Sequence, residues 1–246
     1  MSDRDVVQSA VRIGLGNVYR DAWQVYRLLF RRSVATAAIV YALNVVIRVA
    51  SDVANDPWAD FALGLASFLF LLGGPVLVQG ALVEIVRNIH EGRHPERIRT
   101  LYAEARLKFW SLLWASIVYG LGVIFGLILL ITPGLLVAAR WCLMAPLIML
   151  EGPHGSTEIV GIGAAAYRPV LVIVVVTFLV TTTPTASPLF LPGGWASDYL
   201  LPFIWSSLTA PFSAHVLTVI YYRLTDPERP IVHEDVLRWS SVWEMA

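Results

Sequence analysis

Apolar residues run along this chain in blocks long enough to cross a bilayer, separated by short polar connections. Between positions 109 and 150 a single charged side chain, Arg140, interrupts 42 residues, and Thr132-Pro133-Gly134 divides the stretch in two. As helices the two runs would extend roughly 34 Å and roughly 27 Å, against a hydrocarbon core of about 30 Å. That pattern predicts a transmembrane helical hairpin. The same reading places spans at 34–51, 59–87, 109–131, 133–150, 169–184 and 199–222. The expected fold is therefore all-α, an integral membrane bundle of about six transmembrane helices. The fifth span is the shortest and is cut by Pro184 and Pro188, so residues 169–198 are expected either to cross a thinned bilayer or to re-enter.

Outside these blocks the period changes. Val7, Val11, Val18, Ala22, Tyr26 and Leu29 recur near helical spacing, while Arg20, Arg27 and Arg31 fall on another side. This predicts an amphipathic helix, either lying on the inner leaflet or packed on the bundle as an ordinary first helix. The organisation expected is an amphipathic interfacial segment at 1–33, a six-helix domain at 34–224 and a short cytoplasmic tail at 225–246. A second interfacial helix is expected in the linker from Asn88 to Lys108.

Composition supports the membrane class: 57% of the 246 residues are hydrophobic and only 15% charged. No nucleic-acid partner is expected; the formal net charge is zero, a total that says nothing of partners, but the charges are segregated. The N-terminal segment holds Arg4, Arg12, Arg20, Arg27, Arg31 and Arg32, and the loop after the second span holds Arg93, Arg97, Arg99, Arg106 and Lys108. Connections at 52–58, 131–134 and 185–198 hold no Lys or Arg. Retention of basic loops on the inner side then predicts a bacterial inner membrane protein with both termini in the cytoplasm. The N-terminal arginines leave no apolar core with a cleavage site, so the first membrane helix is expected to act as the targeting signal. The lone cysteine, Cys142, reads as a small buried hydrophobe.

Three groups of residues could carry chemistry. His90-Glu91-Gly92-Arg93-His94 matches H-E-x-x-H, which on a helix sets two imidazoles and a glutamate base around zinc. Gly92 and Pro95 oppose a helix there, so a turn after the second span is the favoured reading, and no metal is assigned. Arg140 stands deep in an apolar slab, where an unpaired charge is costly, and Glu84 or a backbone carbonyl could partner it. His215 lies in the last span with Ser206, Ser207 and Thr209 further out and Pro211 able to kink the helix. Arg140, Glu84 and His215 thus form the candidate intramembrane polar site. Gln79 and Asn44 read as helix-packing groups, and Gly122-Val123-Ile124-Phe125-Gly126 as a close helix contact. No phosphate-cradling loop, Rossmann fingerprint or serine-nucleophile turn occurs, so no cofactor and no catalytic residue is expected.

Ile131-Thr132-Pro133-Gly134, followed by Arg140, Pro146 and Glu151-Gly152, resembles a pattern of uncharacterised bacterial multi-pass proteins, the glycerophosphoryl diester phosphodiesterase membrane-domain-like family. The Gly92-Arg93 turn and the last span, with Ala210-Pro211-Phe212 and Val219 to Leu224, are similar to it as well. The resemblance implies a membrane module without the soluble catalytic domain. The chain departs from the pattern after Glu151-Gly152, where Thr157 to Gly163 replaces a more basic helix. The function expected is a non-catalytic membrane module that organises lipids or other membrane proteins in the bilayer. The alternatives are a transporter lined by Arg140 and His215, or a zinc peptidase at His90, Glu91 and His94.

Overall fold

The computed structural model describes residues 15–54, 56–93, 98–129, 131–152, 164–182 and 194–225. All regular structure among them is helical. In chain order the helices are α1 (Leu15–Leu28), α2 (Phe30–Val53), α3 (Pro57–His90), α4 (Ile98–Leu107), α5 (Phe109–Leu129), α6 (Ile131–Trp141), α7 (Met144–Glu151), α8 (Ala164–Thr182) and α9 (Leu201–Thr225), the last continuing from a π-helical turn, Ala196–Leu200.

Four of these stretches are long and apolar enough to cross a membrane: Phe30–Val53, Pro57–His90, Phe109–Gly126 and Ala196–Thr225. In α8 the apolar part is shorter, Pro169–Val180. The expected fourth span, 133–150, is not one helix. It is broken at Cys142-Leu143 between α6 and α7, and Pro146 explains the position. Proline has no N–H for the carbonyl four residues earlier, here that of Cys142, and its ring clashes with that carbonyl. Helical bonding stops at Cys142 N–H to Ala138 O (3.1 Å) and resumes at Leu147 N–H to Leu143 O (3.0 Å).

Local chemistry sets the other boundaries. Pro57 opens α3 with its fixed φ, and Asp56 caps it by accepting from the Ala59 N–H at 2.9 Å. At the far end Gly92 adopts φ +66°, a left-handed turn that suits glycine and ends the helix. Helix α3 has 34 residues and so extends about 51 Å, well beyond the hydrocarbon thickness.

That excess length divides the molecule into two unlike ends. In the first half of α3 the large apolar side chains Trp58, Phe61, Leu65, Phe68 and Leu69 are exposed, whereas Val76, Val78 and Ala81 to Val86 are buried. Helix α9 repeats the division: Leu201, Ile204 and Trp205 face outward, and Ala214 to Val216 and Thr218 to Tyr222 are enclosed. The enclosed end is the basic one. There His90 stacks on Tyr222 with ring centroids 4.2 Å apart, and the Lys108 ammonium donates to the Met149 carbonyl at 2.6 Å. At the opposite end Ser51 donates to Asp60 at 2.8 Å, and the Arg48 guanidinium lies 5.6 Å from the Tyr199 ring.

Helix α1 packs on this enclosed end. Its buried stripe is Val18, Ala22, Val25 and Tyr26, while Arg20 and Arg27 are exposed, in agreement with the sequence period. Tyr19, Trp23 and Tyr26 gather around Phe212 of α9 at centroid distances of 6.1, 6.2 and 5.8 Å. Asp21 is ion-paired with Arg223. Val7 and Val11 lie outside the described residues. The linker does contain a helix, α4, with Leu101 and Ala105 buried. Gly80 of α3 lets that helix approach, since a Cβ there would stand 3.2 Å from Ala105, 3.2 Å from Leu112 and 3.4 Å from the Met149 sulfur.

Candidate functional site

Prolines interrupt the backbone hydrogen bonding of several helices. Pro75 lies inside α3, Pro146 inside α7 and Pro211 inside α9, and each withholds an N–H from the carbonyl four residues back. Two half-open cavities stand beside them. The first, about 180 Å³, is bordered by Ser116 and Tyr119 of α5, by Trp141 and Cys142 at the α6–α7 break, and by Thr177 of α8. The second, about 250 Å³, is bordered by Tyr41 and Pro75 and by Ser206, Thr209 and Ser213 of α9. Gln79 and Leu217 border both.

Three of the hydroxyls on these walls are committed as donors, while Tyr41, Ser116, Tyr119 and Ser206 add hydroxyls that can donate. Thr209 donates to the Trp205 carbonyl at 2.9 Å and Ser213 to the Ala210 carbonyl at 2.8 Å. Tyr19 donates its only hydroxyl hydrogen to the Ile173 carbonyl at 3.1 Å, so in its 3.1 Å contact with Thr177 it is Thr177 that donates. The Cys142 thiol points its hydrogen at the Ala139 carbonyl, 3.2 Å away. No Asp, Glu, Lys, Arg or His side chain borders either cavity among the described residues.

A second polar arrangement is sealed. The Ser33 hydroxyl and His215 Nε2 are 2.9 Å apart, and both residues are 0% exposed. A serine and histidine at that distance resemble a nucleophile and its base. Here both side chains are fully enclosed and border neither cavity, and the contact clasps α2 to α9. Among the described residues, no hydrogen-bond partner stands near the buried His215 Nδ1 and Thr36 hydroxyl. Tyr102 of α4 donates to the Thr36 carbonyl at 2.5 Å. Burial pushes the Tyr102 phenol above its ordinary value, which keeps it a protonated donor.

Nothing outside this chain helps to assign the site. No known family, curated protein or solved structure matches it.

The candidate residues read from sequence do not converge. Glu84 is buried and its carboxylate lies 3.5 Å from Arg87, one turn away on its own helix, at the basic end. His215 is in the clasp just described. The backbone of Arg140 lies in α6, and its side chain is outside the described residues. Of the H-E-x-x-H residues, His90 ends α3 and Glu91 follows it, and the chain turns at Gly92. Glu91 instead pairs with Arg87 at 2.9 Å and Arg93 at 2.5 Å, and His94 lies outside the described residues. No group of three potential metal ligands forms among the described residues. Of the two amides, Asn44 does join helices, accepting from Ser67 at 3.4 Å, whereas Gln79 stands between the cavities. The only sequence signal for Gln79 was a lone amide four residues after a proline inside an apolar run.

Proposed function

We propose that the chain is a multi-pass membrane module, without catalytic activity of its own, that holds lipids or partner proteins in the bilayer. The observation that supports this most directly is the distribution of exposure. Apolar side chains are exposed away from the basic loops, as in Ile39, Leu43, Val46, Phe61, Phe68, Phe125 and Phe178, while the basic halves of α3 and α9 are enclosed and Leu107 and Trp110 stay exposed beside Lys108. In this reading the first set meets lipid tails and the arginines stay in the cytoplasm. The chain crosses six times, with α6–α7 as an interrupted fourth crossing and α8 as a short fifth, and α1 lies along the inner leaflet. The likeness to the glycerophosphoryl diester phosphodiesterase membrane-domain-like proteins belongs to the same proposal and brings no phosphodiesterase step with it.

The orientation has a direct test. Single cysteines introduced as Asp52→Cys and Glu91→Cys, in a Cys142→Ala background, should differ in reaction with a membrane-impermeant maleimide. Position 52 should label in intact spheroplasts and position 91 only after lysis. The reverse pattern would overturn the topology. For the role itself, native mass spectra of protein released from gently extracted membranes should show a reproducible lipid or protein adduct. Recovery of bare protein from several extractions would rule it out.

A further inference from the structure

We propose that the two cavities flanking Gln79 form one binding site for an uncharged amphiphile with a hydroxyl head group, in its simplest form a long-chain alcohol. The inference rests on the membrane reading above and deepens it by naming a ligand class.

Three features of the walls select that class. First, the walls offer both kinds of hydrogen-bonding group: Thr209 and Ser213 donate to backbone carbonyls and Thr177 to Tyr19, which leaves their oxygens as acceptors, while Tyr41, Ser116, Tyr119 and Ser206 carry hydroxyls that can donate. A head group that both donates and accepts matches such walls, whereas a purely apolar ligand would leave them unpaired in a medium where no water replaces it. Second, no charged side chain borders the cavities among the described residues. An ammonium would therefore enter without a counter-charge, which is costly inside a membrane. A neutral hydroxyl avoids that cost. Third, the rest of the lining is apolar, with Leu112, Val174 and Leu217 suited to methylene groups.

Size argues for joint use. Volumes of about 180 and about 250 Å³ are each smaller than the roughly 300–1,000 Å³ typical of small-molecule pockets, but together they fall in that range. Gln79 stands where they adjoin. Its amide carries both a donor and an acceptor, so it can accept the hydroxyl hydrogen of a ligand head and donate to the same oxygen. The head would rest at Gln79 between Thr209 and Thr177, with the chain leaving along the apolar wall toward lipid.

Photolabelling of the full chain in lipid nanodiscs tests this. Two diazirine probes of equal chain length are compared, a hexadecanol and a hexadecane. The alcohol should label peptides containing residues 141–145 and 206–217, with saturation and competition by unlabelled hexadecanol. In Gln79→Leu that saturable labelling should fall about tenfold, the effect of one lost buried hydrogen bond. Thr209→Val keeps the shape and removes one acceptor. It should lower labelling several-fold and provides the decisive comparison if Gln79→Leu does not insert. Equal saturable labelling of the same peptides by the alkane, or wild-type labelling in a folded variant, would overturn the proposal. If labelling fails while native membranes still yield a specific lipid or partner adduct, this site is wrong and the module reading stands. Failure of both removes both.

Discussion

Replacing His215 with alanine is expected to destabilise the protein by about 3–5 kcal/mol, the range for deleting a large enclosed ring. The imidazole is fully buried, so its loss leaves a cavity, and the Ser33 hydroxyl loses its partner at 2.9 Å. The Tyr26 ring, 6.3 Å from the imidazole between centroids, loses a neighbour as well. Ser33→Ala alone should cost about 1–3 kcal/mol by stranding the imidazole nitrogen in an apolar setting. The double variant Ser33→Ala with His215→Leu should cost less than the sum of its single changes, by about 0.5–3 kcal/mol, because the two residues act as one unit. Unfolding in detergent, followed by tryptophan fluorescence, measures all of these. Strict additivity would mean that the two side chains are neighbours without being a clasp.

Gly122→Leu should disrupt the α5–α6 hairpin. A Cβ at this position would lie 2.8 Å from Trp141 Cζ3 and 3.2 Å from Val137 Cγ1, closer than atoms pack. A leucine needs still more room, so either the helices separate or the Trp141 ring moves into the cavity it borders. Overpacking of this kind costs about 1–3 kcal/mol. Gly120→Leu is the matched control, since a Cβ there meets nothing within 4 Å. The expected result is a clear drop in folded yield and unfolding temperature for the first variant and little change for the second. Equal behaviour would show that the close approach at Gly122 is not needed.

The helical class and the long apolar stretches could be read in the sequence because both are local: hydropathy over some 20 residues decides them. The amphipathic period of α1 was legible for the same reason, and so was the close approach at Gly122. The interruption at Cys142-Leu143 escaped, although Pro146 was in view, because hydropathy registers side chains and the break is a backbone event. Leu143 and Leu147 are as apolar as any residue in an unbroken span. The site was less legible than the fold. Ser33 and His215 are 182 positions apart, and neither carries a local sign that it will meet the other. Gln79 became a candidate only when α3, α5, α8 and α9 were seen to leave space around it. Conversely, the conspicuous charges near the second span, Glu84, Arg87 and Glu91, are taken up by one another along a single helix and its following turn.

The contacts that hold α1 also impose an order on assembly. Tyr19 bonds to Ile173, Tyr26 to Leu208 and Asp21 to Arg223, across 154, 182 and 202 positions. A ribosome working at about 5–20 residues per second needs roughly 10–40 s to pass from the first member of the widest pair to the second. For that interval Val18, Ala22 and Val25 have been made and their partners on α9 have not. The stripe must rest on something other than the finished core, and an amphipathic helix flanked by arginines has an affinity for an anionic membrane surface. The same face that later meets α9 can thus wait on lipid during synthesis, so the emergence of α9 completes the burial of α1.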